Sequence, residues 1–391
     1  MRVAQTSFSS VAARAGADLS FGILSTYPPT RCGLATFSAA LSEALIANGA
    51  GVGVVRIADG GSSTSSPRVL AELHNDNPAS VAEAAAALSE CDVAIVQHEY
   101  GLYGGKDGDE VLDILRELTV PSIAVAHTVL LEPSDHERAV LEAVADAASA
   151  VVVMTEAARE RLCAGFDVDA SKVTTIPHGA ATPAPRREPE SWLRPTMLTW
   201  GLLGAGKGIE WVIDALAELQ DLQPRPRYVV AGRTHPKVMA FEGERYRDML
   251  VQRAWANKVA ASVTFDATYR DVQSLTGLIQ QASVVVLPYD SRDQVTSGVL
   301  VDAIAAGRPV VATAFPHAVE LLSSGAGIVV PHGSSAALAY AVRRVLTEPG
   351  LAAEMAEEAA RLAPGLGWPT VARQYAVLAA QLAPALEAVR S

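Results

Sequence analysis

Twice along this chain, short β-branched runs alternate with amphipathic stretches, and a proline-rich segment at 181–195 separates the two series. The first series holds the apolar runs Phe21–Ser25, Gly51–Ile57, Val93–Gln97, Ser122–Ala126, Ala150–Met154 and Val173–Ile176. The second holds Thr196–Trp200, Arg227–Ala231, Val263–Phe265, Ser283–Leu287 and Val310–Val311. Runs that are apolar without alternation suit strands buried on both faces, and a helix between consecutive strands returns the chain for parallel pairing. The pattern predicts an α/β architecture of two Rossmann-like domains, each a parallel sheet covered by helices. At 391 residues the chain also exceeds the size that one core usually serves. Helices are expected over Ser38–Asn48, over one long region after Ala231 to about Ala260, and over Thr370–Val389.

Composition narrows the partners. Net charge is −12 and no long Lys/Arg run occurs, which argues against extended nucleic acid and against electrostatic docking on an anionic membrane. An anionic ligand must be met by local groups. The three cysteines, Cys32, Cys91 and Cys163, lack metal-ligand spacing and read as reduced thiols of a cytoplasmic protein. The N-terminal MRVAQTSFSSVAARAGADLS has no apolar core of signal-peptide length and reads as a lead-in. No apolar run reaches the length of a membrane span, so no integral membrane segment is expected.

The segment Asp290–Thr313, DSRDQVTSGVLVDAIAAGRPVVAT, reads as loop, helix, tight turn and strand. It places Thr296, Ser297, Gly298 and Val299 at a helix start beyond the carboxyl end of a parallel strand. Unpaired N–H groups and the positive end of the helix dipole suit a diphosphate there. Asp302, about one helical turn further in, suits paired ribose hydroxyls. Gly201–Gly208, GLLGAGKG, follows P-loop spacing until Gly208, where a Ser or Thr would be needed for magnesium. The three-glycine dinucleotide pattern fails at Ile209. What remains is a glycine-rich turn, including Gly204, with Lys207 at a helix start, either a phosphate contact or a solvated lysine.

His98-Glu99-Tyr100 and His127-Thr128 end apolar strands in the first half, where an open parallel sheet binds its ligands. Each histidine either faces a ligand or is a satisfied core group, and the pair together favours at least one facing the ligand. His178 reads as structural. No HExxH or cysteine pair supports a metal. Arg233, at another strand end, either pairs with phosphate or bridges to Glu242 or Glu244. Tyr27, Tyr100 and Tyr103 offer surface for a sugar.

Taken together, PPTRCGLATF, VVMTEAARERL, TTIPHGA, GLLGAGKGIEWVIDAL, ASVVVLPY and VTSGVLVDAIAAGRPVVAT resemble the retaining GT-B glycosyltransferases of family 4, in the right order over nearly the whole chain. The resemblance implies the GT-B fold: two Rossmann-like domains facing a central cleft, 1–190 for the acceptor and 191–368 for the nucleotide sugar. It implies a final helical segment, 369–391, that returns to the first domain. It implies a nucleoside-diphosphate sugar as donor substrate, no cofactor and no required metal. Lys207 matches the family's phosphate lysine, while its partner arginine falls at Leu202, with Arg233 as a substitute. The paired glutamates fall at Gln294 and Asp302. His127 matches a histidine near the transferred sugar, and Gly33 lies in the loop that approaches the donor phosphates. The expected activity is retaining transfer of a sugar to a hydroxyl of a small acceptor, with His127, Lys207 and Gln294 catalytic and His98, Glu99 and Tyr100 on the acceptor side. The rivals are a nucleotide-sugar 2-epimerase and a non-catalytic nucleotide-sugar-binding protein.

Overall fold

The computed structural model describes residues 19–60, 66–183, 194–268 and 270–382. Residues 1–18 of the N-terminal lead-in, 61–65, 184–193 of the proline-rich stretch, 269, and 383–391, which include the end of the helix expected over Thr370–Val389, lie outside the described residues. The chain divides into two units, one formed by residues up to Gly179 together with those from Trp368, the other by Ala180–Gly367. The division thus falls ahead of the proline-rich stretch. Ala180 is buried in an apolar cluster of the second unit and its N–H donates to the Leu366 carbonyl, which commits the chain before the prolines begin.

In the first unit, seven strands form one parallel sheet: β1 (Ser20–Ser25), β2 (Gly51–Ile57), β3 (Val69–Leu73), β4 (Val93–His98), β5 (Ser122–Ala126), β6 (Ala150–Val153) and β7 (Val173–Thr175). Their order is β3-β2-β1-β4-β5-β6-β7. The order reverses between β1 and β4, so the loops after these strands part and leave a crevice at the carboxyl ends. Strand β3 was not expected. It is a half-exposed edge of five residues, and its Leu70 covers Gly53 of β2.

Helix α1 (Gly33–Ala47) starts earlier than the sequence indicates because Cys32 caps it, its Sγ accepting the Ala35 N–H at 3.4 Å. The helix buries Phe37, Leu41 and Leu45, spaced one turn apart, on the sheet. Four further helices follow in this unit: α2 (Pro78–Ser89), α3 (Val111–Glu117), α4 (Asp135–Ala147) and α5 (Glu156–Gly165). Helix α4 opens with a capping box between Ser134 and Glu137.

The second unit repeats the plan with β8 (Thr196–Trp200), β9 (Arg227–Ala231), β10 (Val263–Asp266), β11 (Val284–Leu287), β12 (Val310–Thr313) and β13 (Gly327–Val330), ordered β10-β9-β8-β11-β12-β13 and parallel throughout. Here the switch lies between β8 and β11. Helix α6 (Ile209–Ala217) follows β8. The long helix expected after Ala231 is two helices, α7 (Pro236–Glu242) and α8 (Arg245–Ala256), because Gly243 adopts φ +62° and breaks the run. Then come α9 (Val272–Gln281), α10 (Gly298–Ala305), α11 (Pro316–Leu321), α12 (Ser335–Thr347) and α13 (Leu351–Leu366).

The last described helix, α14 (Trp368–Leu382), belongs to the first unit, where Val371, Tyr375 and Leu378 join the cluster of Phe37 and Leu41. Full burial of such side chains contributes roughly 1.5–3 kcal/mol each, enough to hold the returning helix. No described helix is long and apolar enough to cross a membrane.

Candidate active site

In the second unit, the loop after β8 and the start of α10 pack together. Gly208, at φ +64°, caps α6 directly beneath the Pro288 carbonyl, and a Cβ there would stand 1.8 Å from that oxygen. Only glycine lets the loop pass so close to the end of β11. A Cβ on Gly201 would stand 3.9 Å from the Val299 side chain, ordinary contact distance, so this turn lies beside the first turn of α10. Ala205 and Gly206 are exposed, and their N–H groups have no partner among the described residues. Gly204 is buried and forms the base of the turn, its carbonyl accepting the Lys207 N–H at 3.2 Å.

Lys207 is half-buried, with Nζ 4.6 Å from the centroid of the Tyr289 ring. No carboxylate among the described residues pairs with it, and burial lowers its pKa from the usual lysine value. A desolvated cation held only by an aromatic face is poised for an anion. Tyr289 is buried and packs on Phe315 with ring centroids 5.2 Å apart; burial raises its pKa, against a smaller lowering by the neighbouring Ser297 side chain.

Ser297 is the cap of α10. Its Oγ accepts the Leu300 N–H at 3.2 Å, and its own N–H donates to His317 Nδ1 at 2.8 Å. Both polar groups of this buried residue are therefore committed within the protein. The N–H groups at the helix start that have no partner among the described residues are those of Gly298 and Val299. The Thr296 hydroxyl is buried without a partner. The Gln294 side chain donates from Nε2 to the Thr296 carbonyl at 3.1 Å. Asp302 lies on the half-exposed face of α10 shared with Val299, its carboxylate unpartnered among the described residues, and burial raises its pKa to about 7. Arg233 is exposed, donates from Nε to the Ala267 carbonyl at 2.9 Å, and pairs with neither Glu242 nor Glu244. Glu244 instead accepts from the Thr234 hydroxyl and lies 3.4 Å from Arg247.

In the first unit, Phe37 stands at the centre of an aromatic cluster, with the rings of His127, His178 and Trp368 edge-on at 5.0, 5.1 and 5.0 Å. The Trp368 ring lies on Gly179, where a Cβ would come within 2.2 Å of it. His127 Nε2 is hydrogen-bonded to Gln97 Oε1 at 2.5 Å, and its backbone N–H donates to the His98 carbonyl. Burial, with smaller contributions from His178 and His98, lowers His127 to about 3, so the ring is neutral at physiological pH. Burial alone brings His98 to about 4. His98 is fully buried, with Nδ1 unpartnered, and of the two strand-end histidines only His127 is half-exposed. His178 binds the Gly179 carbonyl through Nδ1 at 2.7 Å, a structural contact at the division between the units.

Glu99 orders the strand ends. It accepts the Thr128 hydroxyl at 2.7 Å and the Tyr100 N–H at 3.1 Å. The Tyr100 hydroxyl reaches the Glu137 carbonyl at 3.3 Å. Tyr27 and Tyr103 are buried rather than open to a sugar, and the Tyr103 hydroxyl donates to the Gln97 carbonyl at 2.6 Å. Gly33, the first residue of α1, has open space where a Cβ would stand. Cys32, Cys91 and Cys163 are free. Among the described residues no three His, Cys, Asp or Glu side chains are grouped to hold a metal ion.

Sequence reasoning missed His317, which is 4% exposed and sits at the start of α11 just beyond β12. Its position after a strand was a usable signal, the same that singled out His98 and His127.

Two parallel sheets of this strand order, each with its polar groups gathered where the strands end, define the GT-B fold. Residues 194–348 match the family "Glycosyl transferases group 1" and residues 32–182 match "Glycosyltransferase Family 4". The chain belongs to the group 1 glycosyltransferases. Alpha-D-kanosaminyltransferase from Streptomyces kanamyceticus is 30% identical over 227 residues, 55% of each chain, so this chain spans about half the length of that curated relative in the match. Among solved structures, HepE of Anabaena in complex with UDP and glucose superposes with a TM-score of 0.72 at 17% identity, covering 93% of this chain and 100% of that one. Sucrose-phosphate synthase from Thermosynechococcus elongatus gives 0.73 at 20%, covering 94% and 100%.

Proposed function

We propose that this protein transfers a sugar from a nucleoside diphosphate to a hydroxyl of a small acceptor with retention of anomeric configuration, needing no cofactor and no metal. The observation that carries the reading is Lys207, desolvated and without an acid partner beside a helix start with two free N–H groups. That arrangement answers the charge that develops on a departing diphosphate, and preorganised donors contribute most where charge develops. Arg233, with most of its guanidinium uncommitted, is a second phosphate contact in place of the arginine absent at Leu202. Asp302 takes the ribose hydroxyls, and Gln294 stands at the sugar end of the same helix start.

The first unit supplies the sugar and acceptor contacts. His127, neutral and half-exposed, offers hydrogen bonding without charge, and Glu99 and Tyr100 shape the acceptor side. Retention follows when the acceptor hydroxyl attacks from the face that the diphosphate leaves, passing its proton to the leaving phosphate oxygen. The relatives support the class of substrates: one is named alpha-D-kanosaminyltransferase, and one is in complex with UDP and glucose. The three free cysteines, none in a disulfide, support a cytoplasmic location.

The test is incubation with UDP-, GDP-, ADP- and TDP-sugars and a set of soluble hydroxyl acceptors in the presence of a chelator, following nucleoside diphosphate release and the anomeric proton of the product. Acceptor-dependent release and a product of the donor's configuration are expected. An inverted product would overturn retention, a metal-restored reaction would overturn metal independence, and epimerisation or binding without transfer would establish one of the rival activities.

A further inference from the structure

We propose that His317 is a positioning residue for diphosphate binding: through Nδ1 it holds the backbone N–H of Ser297 and so sets the direction of the first turn of α10. The inference rests on the nucleotide-sugar reading above. Ser297 has extended backbone geometry, φ −142° and ψ 102°, so its N–H points away from the helix it caps. Left unmet in a buried place, that N–H would cost free energy comparable to a lost hydrogen bond. His317 meets it at 2.8 Å from a different element, twenty residues further along the chain. Nδ1 must act as acceptor here, which requires a neutral imidazole that carries its proton on Nε2.

The neighbouring contacts show why this one bond matters to the ligand end of the helix. On its other side, Ser297 accepts the Leu300 N–H, and its side chain lies beside Tyr289, whose ring carries Lys207. Phe315, just before α11, packs on the same tyrosine ring. His317 therefore joins the end of β12 to the cap of α10, and the cap to the aromatic seat of the lysine. Rotation of the Ser297 peptide would turn the following N–H groups, those of Gly298 and Val299, which are the ones without a partner. A diphosphate held by those groups feels a shift of a few tenths of an ångström, whereas a nucleoside does not reach them.

Shape-matched substitutions separate positioning from mere space-filling. In His317→Asn the amide oxygen occupies the place of Nδ1 and accepts the Ser297 N–H. In His317→Gln the polar end lies where Nε2 was, and His317→Leu fills the space without an acceptor. Each variant and the wild type are titrated calorimetrically with UDP, GDP, ADP and TDP and with the four matching nucleosides, alongside thermal melting. For the diphosphate that the wild type binds best, the Leu and Gln variants are expected to weaken binding about five- to tenfold, the loss of one hydrogen bond. The Asn variant should stay within about twofold of wild type, and all variants should bind the nucleoside within about twofold of wild type. Equal weakening of diphosphate and nucleoside, or an Asn variant no better than Gln, would overturn the inference while leaving the proposed function standing. Should the Leu variant fail to fold, the Asn and Gln pair decides the question. A wild type that binds none of the four diphosphates would overturn the proposed function and this inference with it.

Discussion

Gln294 donates its side-chain amide to the carbonyl of Thr296, 3.1 Å away, and so braces the loop that leads into α10. A carboxylate has no hydrogen to give and would face that carbonyl with like partial charge. The resemblance to family 4 puts a glutamate at this position, yet the structure uses the amide. Gln294→Glu is therefore expected to lower kcat/KM by about tenfold, the loss of one hydrogen bond plus a repulsive contact worth together roughly 1–2 kcal/mol. Steady-state kinetics with the preferred donor check this. A variant as fast as wild type, or faster, would show that the amide is not needed.

Asp302 gives two opposed pH dependences. Its carboxyl ionises near the usual 3.8 in the unfolded chain and at about 7 in the folded one, where burial disfavours the charge. Between those values the native protein keeps a proton that the unfolded chain has lost, so this group's contribution to stability falls as pH rises from about 4 to 7, then levels off. With Asp302 holding the ribose as proposed, ligand affinity should run the other way, because hydroxyls donate best to the ionised form. Binding of a nucleoside, whose own groups do not ionise near neutrality, should tighten as pH rises through 7. Asp302→Asn should remove both slopes, measured by denaturant unfolding and by titration from pH 5 to 8. A nucleoside affinity that is flat in the wild type would remove Asp302 from the ribose.

Much of this was legible in local sequence, and the rest was not for identifiable reasons. The central strands are continuous apolar runs because both faces are buried, so they announce themselves. Edge strands β3 and β13 are short and half-exposed, and VLAEL and GIVV carry no such signal. The break between α7 and α8 was written in Gly243, but a glycine inside a helical pattern is ambiguous until its φ is known. Within the site, Lys207 and the start of α10 follow from strand, turn and helix signals within a few residues of each other. The partner of Ser297 does not. It depends on how β12 and α11 pack beside α10, and no spacing rule connects residues 297 and 317. His98 and Glu99 show the converse: a strand-end position was read correctly, but only the fold shows that one is buried and the other is occupied in ordering loops.

His127 should matter to turnover more than to donor affinity. Its ring is uncharged, being protonated only below about 3, so it titrates outside the working range and adds no limb to the pH–rate profile between 5 and 8. His127→Ala is expected to lower kcat by about tenfold or more while changing the affinity for nucleoside diphosphate less than about threefold, as a contact to a charge-developing sugar would. Melting temperatures recorded in parallel identify the alternative. A variant that loses stability but keeps its kcat would assign His127 to the aromatic cluster around Phe37 alone.

The central claim is that Lys207 and the start of α10 hold the diphosphate of a nucleotide sugar, and Lys207→Ala tests it most directly. Calorimetric titration compares this variant with wild type against UDP, GDP, ADP and TDP and their nucleosides. The charge-assisted contact contributes roughly 1.5–3 kcal/mol, so diphosphate binding should weaken by about ten- to a hundredfold while nucleoside binding stays nearly unchanged. Equal affinity of variant and wild type for every diphosphate, or equal loss for diphosphate and nucleoside, would contradict the account.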